Sequence, residues 1–300
     1  MSENRVGEFL VLPYHTKRIG DKILVVNNLG SWVFLSDNEL YKLNRHDIPK
    51  GTDLYKKLSA KGIIINKEYA KNNVDAYRRR NKFLFQGPSL HIVVVTLDCN
   101  LNCVYCHSSS PMHKGKLMDK KTAIKVLDII LNSQSNAITI EFQGGEPLIN
   151  WDVLRFFITE ARKPYERDLR ITLVTNLTLM NESRMNFLLD NNVSICTTLD
   201  GPKNVHDTNR KYVSGKGTYH DVTRWISRIN KEYERRGMSE RVNAIPTITR
   251  HSLPFWKEIV DEYVEQGIPI IQLGFINRLG VADKNWSKIG YTPEEFIEFW

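Results

Sequence analysis

The stretch Leu90-His-Ile-Val-Val-Val-Thr-Leu-Asp-Cys-Asn-Leu-Asn-Cys-Val-Tyr-Cys106 runs from an apolar segment directly into a group of cysteines. Its first part, Leu90–Leu97, has the length and apolar character of a β-strand. Cys99, Cys103 and Cys106 follow in the spacing CxxxCxxC. Three thiols cannot all pair as disulfides, and three thiolates on a cubane iron–sulfur cluster leave one iron without a protein ligand. The stretch therefore predicts a strand that leads into a reactive metal centre.

The composition is that of an ordinary globular protein, with 41% hydrophobic and 25% charged residues in a chain of 300. The amino terminus is polar, unlike a signal peptide, and no apolar run approaches the roughly 18 residues of a membrane span. We therefore expect a cytoplasmic protein with no membrane partner, in a reducing compartment where clustered cysteines act as ligands. The net charge of +8 is only a weak indication of nucleic-acid binding, because the basic residues are dispersed apart from Arg78–Arg80.

Residues 1–66 are predicted to form a small α+β domain that resembles a winged helix. The predicted segments are a strand over Asp21–Val26, a hairpin turn over Asn27–Gly30, a strand over Ser31–Leu35, a helix that starts at a capping box of Ser36 and Glu39, a helix over Asp53–Lys61 and a strand over Ile63–Ile65. Residues 67–88 are polar and basic and end near Pro88, so they are interpreted as a linker.

Residues 89–282 alternate between short apolar strands and segments with the 3.6-residue period of amphipathic helices. The predicted strands are Leu90–Leu97, Ala137–Phe142, Leu169–Val174, Val193–Leu199, Arg241–Thr247 and Ile270–Phe275. Repeated βα units with right-handed crossovers build a parallel sheet, and six of them can curl into a partial barrel. The fold class is therefore α/β, a partial (β/α)6 barrel that follows the small α+β domain.

Polar or glycine-rich motifs follow each of the first four predicted strands. They are the cysteine group, Gly144-Gly-Glu-Pro147, Thr175-Asn176 and Asp200-Gly-Pro202. In βα barrels the active site lies at the carboxyl ends of the strands, so the four motifs are expected to meet in one cleft.

This ordered set of motifs resembles the radical S-adenosylmethionine (radical SAM) enzymes. The resemblance rests on CxxxCxxC with Tyr105 before its last cysteine, on GGEP after the second strand and on LDGP after the fourth, and it covers about residues 88–280. It implies that Cys99, Cys103 and Cys106 hold a [4Fe-4S] cluster whose fourth iron binds S-adenosylmethionine (AdoMet). It also implies reductive cleavage of AdoMet to a 5′-deoxyadenosyl radical, which abstracts hydrogen from a substrate.

The resemblance also implies the residues that contact AdoMet. They are Tyr105, Gly144, Gly145, Glu146, Thr175, Asn176, Thr198, Asp200 and Arg210. The two glycines would let the backbone approach closely, and Glu146 would accept a hydrogen bond from the cofactor ammonium. Thr198 and Arg210 would bind the cofactor carboxylate, and Asp200 would lie near the ribose. The resemblance assigns no catalytic base.

Four further residues lie near these motifs. His206, at a loop start, is interpreted as a local hydrogen-bonding residue, and the isolated Cys196 as a small core residue. Asn277 and Arg278, at the end of the sixth strand, are candidates for the substrate side.

The amino-terminal segment and the barrel motifs together resemble the His-Xaa-Ser system radical SAM maturases of the peptide-modifying branch. This resemblance implies a precursor peptide as partner, with histidine-any-serine repeats, and an electron donor such as a flavodoxin or ferredoxin. Small winged-helix units can recognise a leader peptide by adding it as a strand to a sheet edge. Residues 283–300 are expected to begin a carboxyl-terminal region that is cut off here.

Two alternatives remain open at this point. The first is a radical SAM enzyme that acts on tRNA or on a small metabolite. The second is a non-enzymatic protein that binds a peptide or nucleic acid and is stabilised by zinc, with His107 completing a Cys3His set.

Overall fold

The computed structural model describes residues 9–85, 87–108, 115–163 and 168–300. It divides into two compact units, with the boundary between Gly87 and Pro88. Of the predicted first domain and linker, residues 1–8 and residue 86 lie outside the described residues. No helix in the described part of the chain is long and apolar enough to cross a membrane.

The first unit combines short strands with helices. Its described elements are β1 (Leu10–Val11), β2 (Tyr14–Ile19), β3 (Lys22–Asn27), β4 (Trp32–Leu35), α1 (Asp37–Asn44), α2 (Asp53–Ala60), β5 (Ile64–Ile65), α3 (Lys67–Arg80) and a 3₁₀ turn at Lys82–Phe85. Strands β2, β3 and β4 form an antiparallel sheet, and β1 pairs antiparallel with β5.

Local side-chain bonds explain why the predicted hairpin and first helix form. The buried Asn27 side chain accepts hydrogen bonds from the backbone N–H groups of Leu29 and Ser31, each at 3.0 Å, and so closes the turn between β3 and β4. Ser36 and Glu39 form the predicted capping box at the start of α1. The hairpin and the capped helix are therefore confirmed.

Strands β1 and β2, helix α3 and the 3₁₀ turn at Lys82–Phe85 were not predicted in the first unit. Strand β2 has the sequence Tyr-His-Thr-Lys-Arg-Ile, and most of its residues are exposed, so no buried apolar alternation marks it. Helix α3 lies within the residues assigned to the linker, and its apolar side chains Val74 and Tyr77 are exposed. Among the side chains that the structure describes, neither β2 nor α3 has a buried apolar face, so the pattern of apolar residues does not predict them.

The second unit is a parallel α/β arrangement. Its described strands are β6 (Leu90–Thr96), β7 (Ala137–Gly144), β8 (Asp168–Val174), β9 (Val193–Thr197), β10 (Asn243–Ala244), β11 (Thr247–Ile248) and β12 (Gly274–Phe275). Its described helices are α4 (Lys120–Leu131), α5 (Trp151–Ala161), α6 (Glu182–Asp190), α7 (Lys203–Asn209), α8 (Tyr219–Arg235), α9 (Trp256–Glu265), α10 (Val281–Lys284), α11 (Trp286–Ile289) and α12 (Pro293–Phe299), with 3₁₀ turns at Pro147–Asn150 and Leu253–Phe255.

Strands β6 to β10 form one parallel sheet in the order β10-β9-β8-β7-β6, and β11 pairs in parallel with β12. Each neighbour in the larger sheet is the next strand along the chain, as expected for successive βα units. The predicted α/β fold with a partial barrel is therefore confirmed.

The fifth and sixth barrel strands are shorter than predicted. The fifth is divided into β10 and β11 by Pro246, which has no N–H to donate to a neighbouring strand. The sixth is reduced to β12, with an isolated parallel bridge between Ala244 and Ile271 before it.

Apolar side chains between the sheet and its helices form the core of the second unit. Phe142 on β7 and Phe157 on α5 are both fully buried, and their rings meet edge to face with centroids 5.2 Å apart. Such a pair adds a specific contact to the apolar area that each ring removes from water.

Replacing Phe157 by alanine is expected to lower the free energy of unfolding by about 3–5 kcal/mol, because it leaves a cavity between β7 and α5. Thr159→Ala is a matched control, since Thr159 is exposed on the same helix, and we expect a change within about 0.5 kcal/mol. Urea unfolding followed by circular dichroism measures both variants. A loss of less than about 1 kcal/mol for Phe157→Ala would contradict the assigned core.

Candidate active site

A cavity of about 340 Å³ lies where the strands of the second unit end. Most of the residues predicted from the motifs line it: Cys99, Cys103, Tyr105, Cys106, Gly144, Gly145, Thr175, Asn176, Thr198 and Arg210. The first three motifs therefore meet in one cleft, together with Thr198 and Arg210, which lie before and after the fourth. Glu146 and Asp200 do not line this cavity, and their positions are described below.

The three motif cysteines contribute to one wall of the cavity. The backbone N–H of Leu101 donates to Cys99 Sγ at 3.4 Å, and Cys106 Sγ lies 3.2 Å from Ser108 Oγ. Burial raises the pKa of the Cys103 thiol to about 12, although the Arg210 charge acts in the opposite direction. Within the described residues, no group of three or more His, Cys, Asp or Glu side chains is arranged to hold a single metal ion.

Gly144 and Gly145 are required by the close approach of β7 to the end of β6. A Cβ atom on Gly144 would lie 2.1 Å from the carbonyl oxygen of Thr96, and one on Gly145 would lie 2.0 Å from that of Asp98. The Gly145 N–H donates to the Thr96 carbonyl at 2.9 Å. The backbone approach that these glycines allow is thus to the chain that enters the cysteine loop.

Glu146 is fully buried and joins neighbouring strand ends. Its carboxylate accepts hydrogen bonds from Thr175 Oγ1 at 2.7 Å, from the Asn176 N–H at 2.7 Å and from the Leu148 N–H at 2.9 Å. Burial raises the pKa of Glu146, against the effect of these donors. The structure therefore places this carboxylate behind the cavity wall, where it holds the Thr175 and Asn176 loop.

Asn176 connects the third motif to the cysteine loop. Its side-chain amide donates to Asn100 Oδ1 at 3.0 Å and lies 3.9 Å from Cys99 Sγ. Thr175 and Asn176 both face the cavity and are fixed by Glu146. The loop after β8 is consequently held against the loop after β6.

Tyr105, Asp200 and Arg210 form a buried hydrogen-bonded group. The Tyr105 hydroxyl donates to Asp200, with oxygens 2.8 and 3.1 Å away, and accepts from Arg210 Nη1 at 2.9 Å. Asp200 also accepts from the Thr247 N–H at 3.0 Å. Asp200 is therefore a support for Tyr105 and for the start of β11, whereas Tyr105 and Arg210 line the cavity.

The Arg210 guanidinium has unused donor capacity. The residue is 8% exposed, and its buried Nε has no hydrogen-bond partner among the described residues. Thr198 lines the same cavity with a half-buried side chain. A guanidinium and a hydroxyl are donors suited to a carboxylate.

His206 supports this group from behind. Its Nδ1 accepts from the Asp200 N–H at 3.3 Å, so Nε2 carries the proton and donates to Thr218 Oγ1 at 3.0 Å. Thr218 Oγ1 in turn donates to the Arg210 carbonyl at 3.0 Å. Burial lowers the pKa of His206 to about 3, and the Arg210 charge acts in the same direction. The interpretation of His206 as a local hydrogen-bonding residue agrees with these contacts.

The remaining candidates separate into two groups. Asn277 lines the cavity, whereas Arg278 is largely exposed and pairs with Asp283 at 2.7 Å. Cys196 is buried on β9 and is absent from the cavity wall.

The motif analysis missed several residues of the cavity wall. They are Leu101, Ser108, Gln143, Val174, Thr247, Phe275 and Ile276, while His107, named only as a zinc ligand, also lines the cavity. Gln143 lies near the carboxyl end of β7 and Thr247 ends the predicted fifth strand, so their position relative to a predicted strand could have identified them.

Residues 93–254 match the model of the radical SAM superfamily. The chain therefore belongs to this superfamily, whose members bind a [4Fe-4S] cluster and AdoMet. Membership makes the chain an enzyme by class. It also favours the iron–sulfur assignment over the single zinc ion considered above.

Three known proteins show how far the similarity extends. The cysteine-type anaerobic sulfatase-maturating enzyme of Clostridium perfringens (strain 13 / Type A) is 30% identical over 223 residues, which are 70% of this chain and 58% of that enzyme. The structure of native anSMEcpe with bound AdoMet has a TM-score of 0.55 and 23% identity, over 63% of this chain and 52% of that one. Streptococcus suis SuiB bound to precursor peptide SuiA has a TM-score of 0.52 and 14% identity, over 90% of this chain and 62% of SuiB. The chain thus spans only about three fifths of the first of these relatives.

The described residues fit the two cofactors of the superfamily. Burial raises the pKa of the Cys99 and Cys103 thiols, so the protein alone does not favour their charged form. Metal binding displaces the thiol protons, and the positive charge of the metal would stabilise the thiolates. A cluster of several irons is larger than a single ion, so its ligands must surround a larger volume. The three thiols line a cavity, as such a cluster requires. Arg210 lines that cavity, so its guanidinium places a positive charge suited to an anion there.

Gly145→Ala is expected to lower the rate of AdoMet cleavage by about a hundredfold, because the strand end must move away from Asp98 by roughly an ångström or more. Gly237→Ala is the control, since Gly237 has φ +66° but nothing within 4 Å of an added Cβ. The control carries the strain of left-handed backbone, about 1–2 kcal/mol, without the close contact. Release of 5′-deoxyadenosine, measured by chromatography, tests both; equal rates in the two variants would contradict the assigned contact.

The buried neutral His206 predicts a loss of stability in mild acid. Below the ordinary histidine pKa of about 6.5 the unfolded chain binds a proton that the folded chain does not, so the free energy of unfolding falls as pH falls, by about 1.5 kcal/mol from pH 6.5 to pH 5. His206→Gln should be less stable at neutral pH but should lose this part of the slope. His251→Gln, at an exposed histidine, should keep it. Urea unfolding of the metal-free proteins across this range measures the slopes, and identical slopes in all three would refute the assignment.

Proposed function

We propose that the chain is a radical SAM peptide maturase, which cleaves AdoMet reductively at a [4Fe-4S] cluster and removes a hydrogen atom from a residue of a ribosomally made peptide. The observation that carries the proposal is the cavity that the three motif cysteines share with Thr198 and Arg210. Family membership supports the two cofactors, and the names of the similar proteins support a protein or peptide substrate.

Cys99, Cys103 and Cys106 would hold three irons, which leaves the fourth for the amino and carboxylate groups of AdoMet. When bound, the cluster supplies the electron that breaks a carbon–sulfur bond of AdoMet. The chain's own part is to bind and to orient. Arg210, fixed by the Tyr105 hydroxyl, would pair with the AdoMet carboxylate, and the Thr198 hydroxyl would donate a second hydrogen bond to it.

Apolar side chains complete the wall of the cavity. Leu101, Val174, Phe275 and Ile276 line it beside the polar groups. They would limit the access of water to the reacting atoms, and in such a low-dielectric site the Arg210 charge acts more strongly than it would in water.

The first unit supports a peptide as the substrate. Strands β2 and β4 are the outer strands of its antiparallel sheet, and neither has a further strand at its outer edge in the described part of the chain. The same unit contains a mostly apolar groove of about 390 Å³, whose wall includes Leu29, Ile65, Val74 and Tyr77. An exposed sheet edge can take an extended peptide as an extra strand, while a groove of this kind accepts its apolar side chains. We propose residues 1–66 as the peptide-recognition domain.

The proposed partners follow from this activity. They are a precursor peptide of the His-Xaa-Ser repeat type and a one-electron donor such as a flavodoxin or ferredoxin. A reducing cytoplasm would keep the three ligand thiols from oxidation before the cluster is inserted.

Cys103→Ala is expected to abolish AdoMet cleavage, because it removes one of the three cluster ligands. Cys196→Ala is the matched control, since Cys196 is buried on β9 outside the cavity wall. The protein reconstituted anaerobically should contain about four irons per chain, and reduction should release 5′-deoxyadenosine from the wild type and from Cys196→Ala only. Cleavage that persists in Cys103→Ala would overturn the proposed metal centre.

Coexpression with the peptide encoded beside the gene tests the substrate, with the peptide mass as the readout. Modification is expected with the wild type and not with Cys103→Ala. An unmodified peptide under proven cofactor turnover would reject the peptide substrate and favour a radical SAM enzyme for tRNA or a small metabolite.

A further inference from the structure

The cysteine loop is contacted by a segment far along the chain. The Val281 N–H donates to the Cys106 carbonyl at 2.8 Å, and the Asn285 side-chain amide donates to the Val104 carbonyl at 3.0 Å. Both acceptors lie in the part of the loop that carries its last two cysteines. Residues 280–285, named the clamp segment here, thus bind backbone groups between the ligand positions.

Apolar packing brings the same region against the loop. Ile276, Ala282 and Ile289 form a small buried cluster, and Val104 and Tyr105 of the cysteine loop pack against it. The Tyr291 hydroxyl accepts a hydrogen bond from the Ile276 N–H at 3.0 Å. This bond joins the residues before the clamp segment to those after it. Side-chain packing therefore holds the clamp segment against the cysteine loop, in addition to its hydrogen bonds.

Gly280 makes this approach sterically possible. Its φ is +58°, and a Cβ atom there would lie 2.3 Å from the His107 carbonyl oxygen and 2.8 Å from that of Cys106. Any other residue at this position would push the clamp segment away from the loop, in addition to the cost of the left-handed backbone.

The cysteine loop is also held by the last residue of α7 and by the segment that follows this helix. The Asn102 N–H donates to the Lys211 carbonyl at 2.7 Å, and the Val104 N–H donates to the Asn209 carbonyl at 2.9 Å. The loop contains no helix or longer strand within its described residues 98–108, so its shape depends on such outside contacts. These contacts hold the first part of the loop, where Val213 N–H also donates to the Asn100 carbonyl at 3.2 Å, and the clamp segment holds the carbonyls of Val104 and Cys106.

We propose that the clamp segment is a positioning element that keeps the cysteine ligands in place and slows the loss of the cluster. The inference rests on the cluster assignment in the proposed function. A ligand loop that moves exposes the metal to competing ligands, so loosening the loop increases the rate at which iron leaves. Gly280 and Asn285 are positioning residues in this proposal, because they act through the backbone of the loop.

The test measures iron release from the anaerobically reconstituted full chain to an excess of a colorimetric chelator. Asn285→Asp keeps the shape of the side chain but removes the donor, and Gly280→Ala adds the obstructing Cβ. Each is expected to release iron at least about tenfold faster than the wild type, since tenfold corresponds to the net free energy of about one hydrogen bond.

Two controls separate this role from general destabilisation. Gly267→Ala places alanine at φ +65° with nothing within 4 Å of the Cβ, and Lys288→Ala changes an exposed residue of α11. Both should release iron at the wild-type rate. Thermal melting of the metal-free proteins gives the second readout, and a release rate that simply follows the melting temperature across all four variants would overturn the clamp.

The two variants also guard against a failure to fold. If Gly280→Ala is unfolded, Asn285→Asp still decides the question, because it replaces the donor by a negatively charged acceptor of the same size and so breaks the bond to the Val104 carbonyl. Wild-type release rates in folded Asn285→Asp would overturn the proposal. A wild-type protein that takes up no iron would instead refute the metal centre itself, which distinguishes a failure of the proposed function from a failure of the clamp.

Discussion

The buried carboxylate of Glu146 is the interaction on which the candidate site depends. It accepts from Thr175, Asn176 and Leu148 at 2.7 to 2.9 Å, while its own N–H donates to the Asp98 carbonyl at 2.8 Å. These bonds join the ends of β6, β7 and β8, so the three loops that line the cavity share one anchor. A carboxylate with no exposure to water is stable only with such a set of donors. The Glu146 carboxylate can therefore stay buried only while the loops keep the positions that bring their donors to it.

Much of the fold could be predicted from the apolar pattern, because the first four barrel strands have buried apolar side chains that alternate with others along them. The structure confirms those strands and their parallel order. The pattern failed where burial is absent, as in β2 and α3, and where the backbone itself intervenes. Pro246 divides the fifth strand since it lacks an N–H, an effect that hydropathy does not report.

The motifs predicted which residues lie near the site, but not which way their side chains point. A motif places a residue at a strand end, but it does not tell whether the side chain faces the cavity or the wall behind it. Glu146 and Asp200 are both predicted to contact AdoMet, and both are fully buried and outside the lining of the cavity, whereas Tyr105, Thr198 and Arg210 face it. The contact of Val281 with Cys106 could not be predicted at all, because any residue other than proline offers the same N–H.

The position of Tyr105 has a consequence for the charge of Arg210. The Tyr105 hydroxyl lies between the two charged groups: it accepts from the Arg210 guanidinium and donates to the Asp200 carboxylate. The guanidinium and the carboxylate form no direct ion pair. A direct bidentate pair with Asp200 would use the donors that an anion in the cavity requires. By keeping the two charges apart, Tyr105 lets Asp200 stabilise the buried guanidinium while the guanidinium still has donors available for a carboxylate. The hydroxyl of Tyr105, and not its ring alone, is therefore part of what prepares the cavity for a negatively charged group.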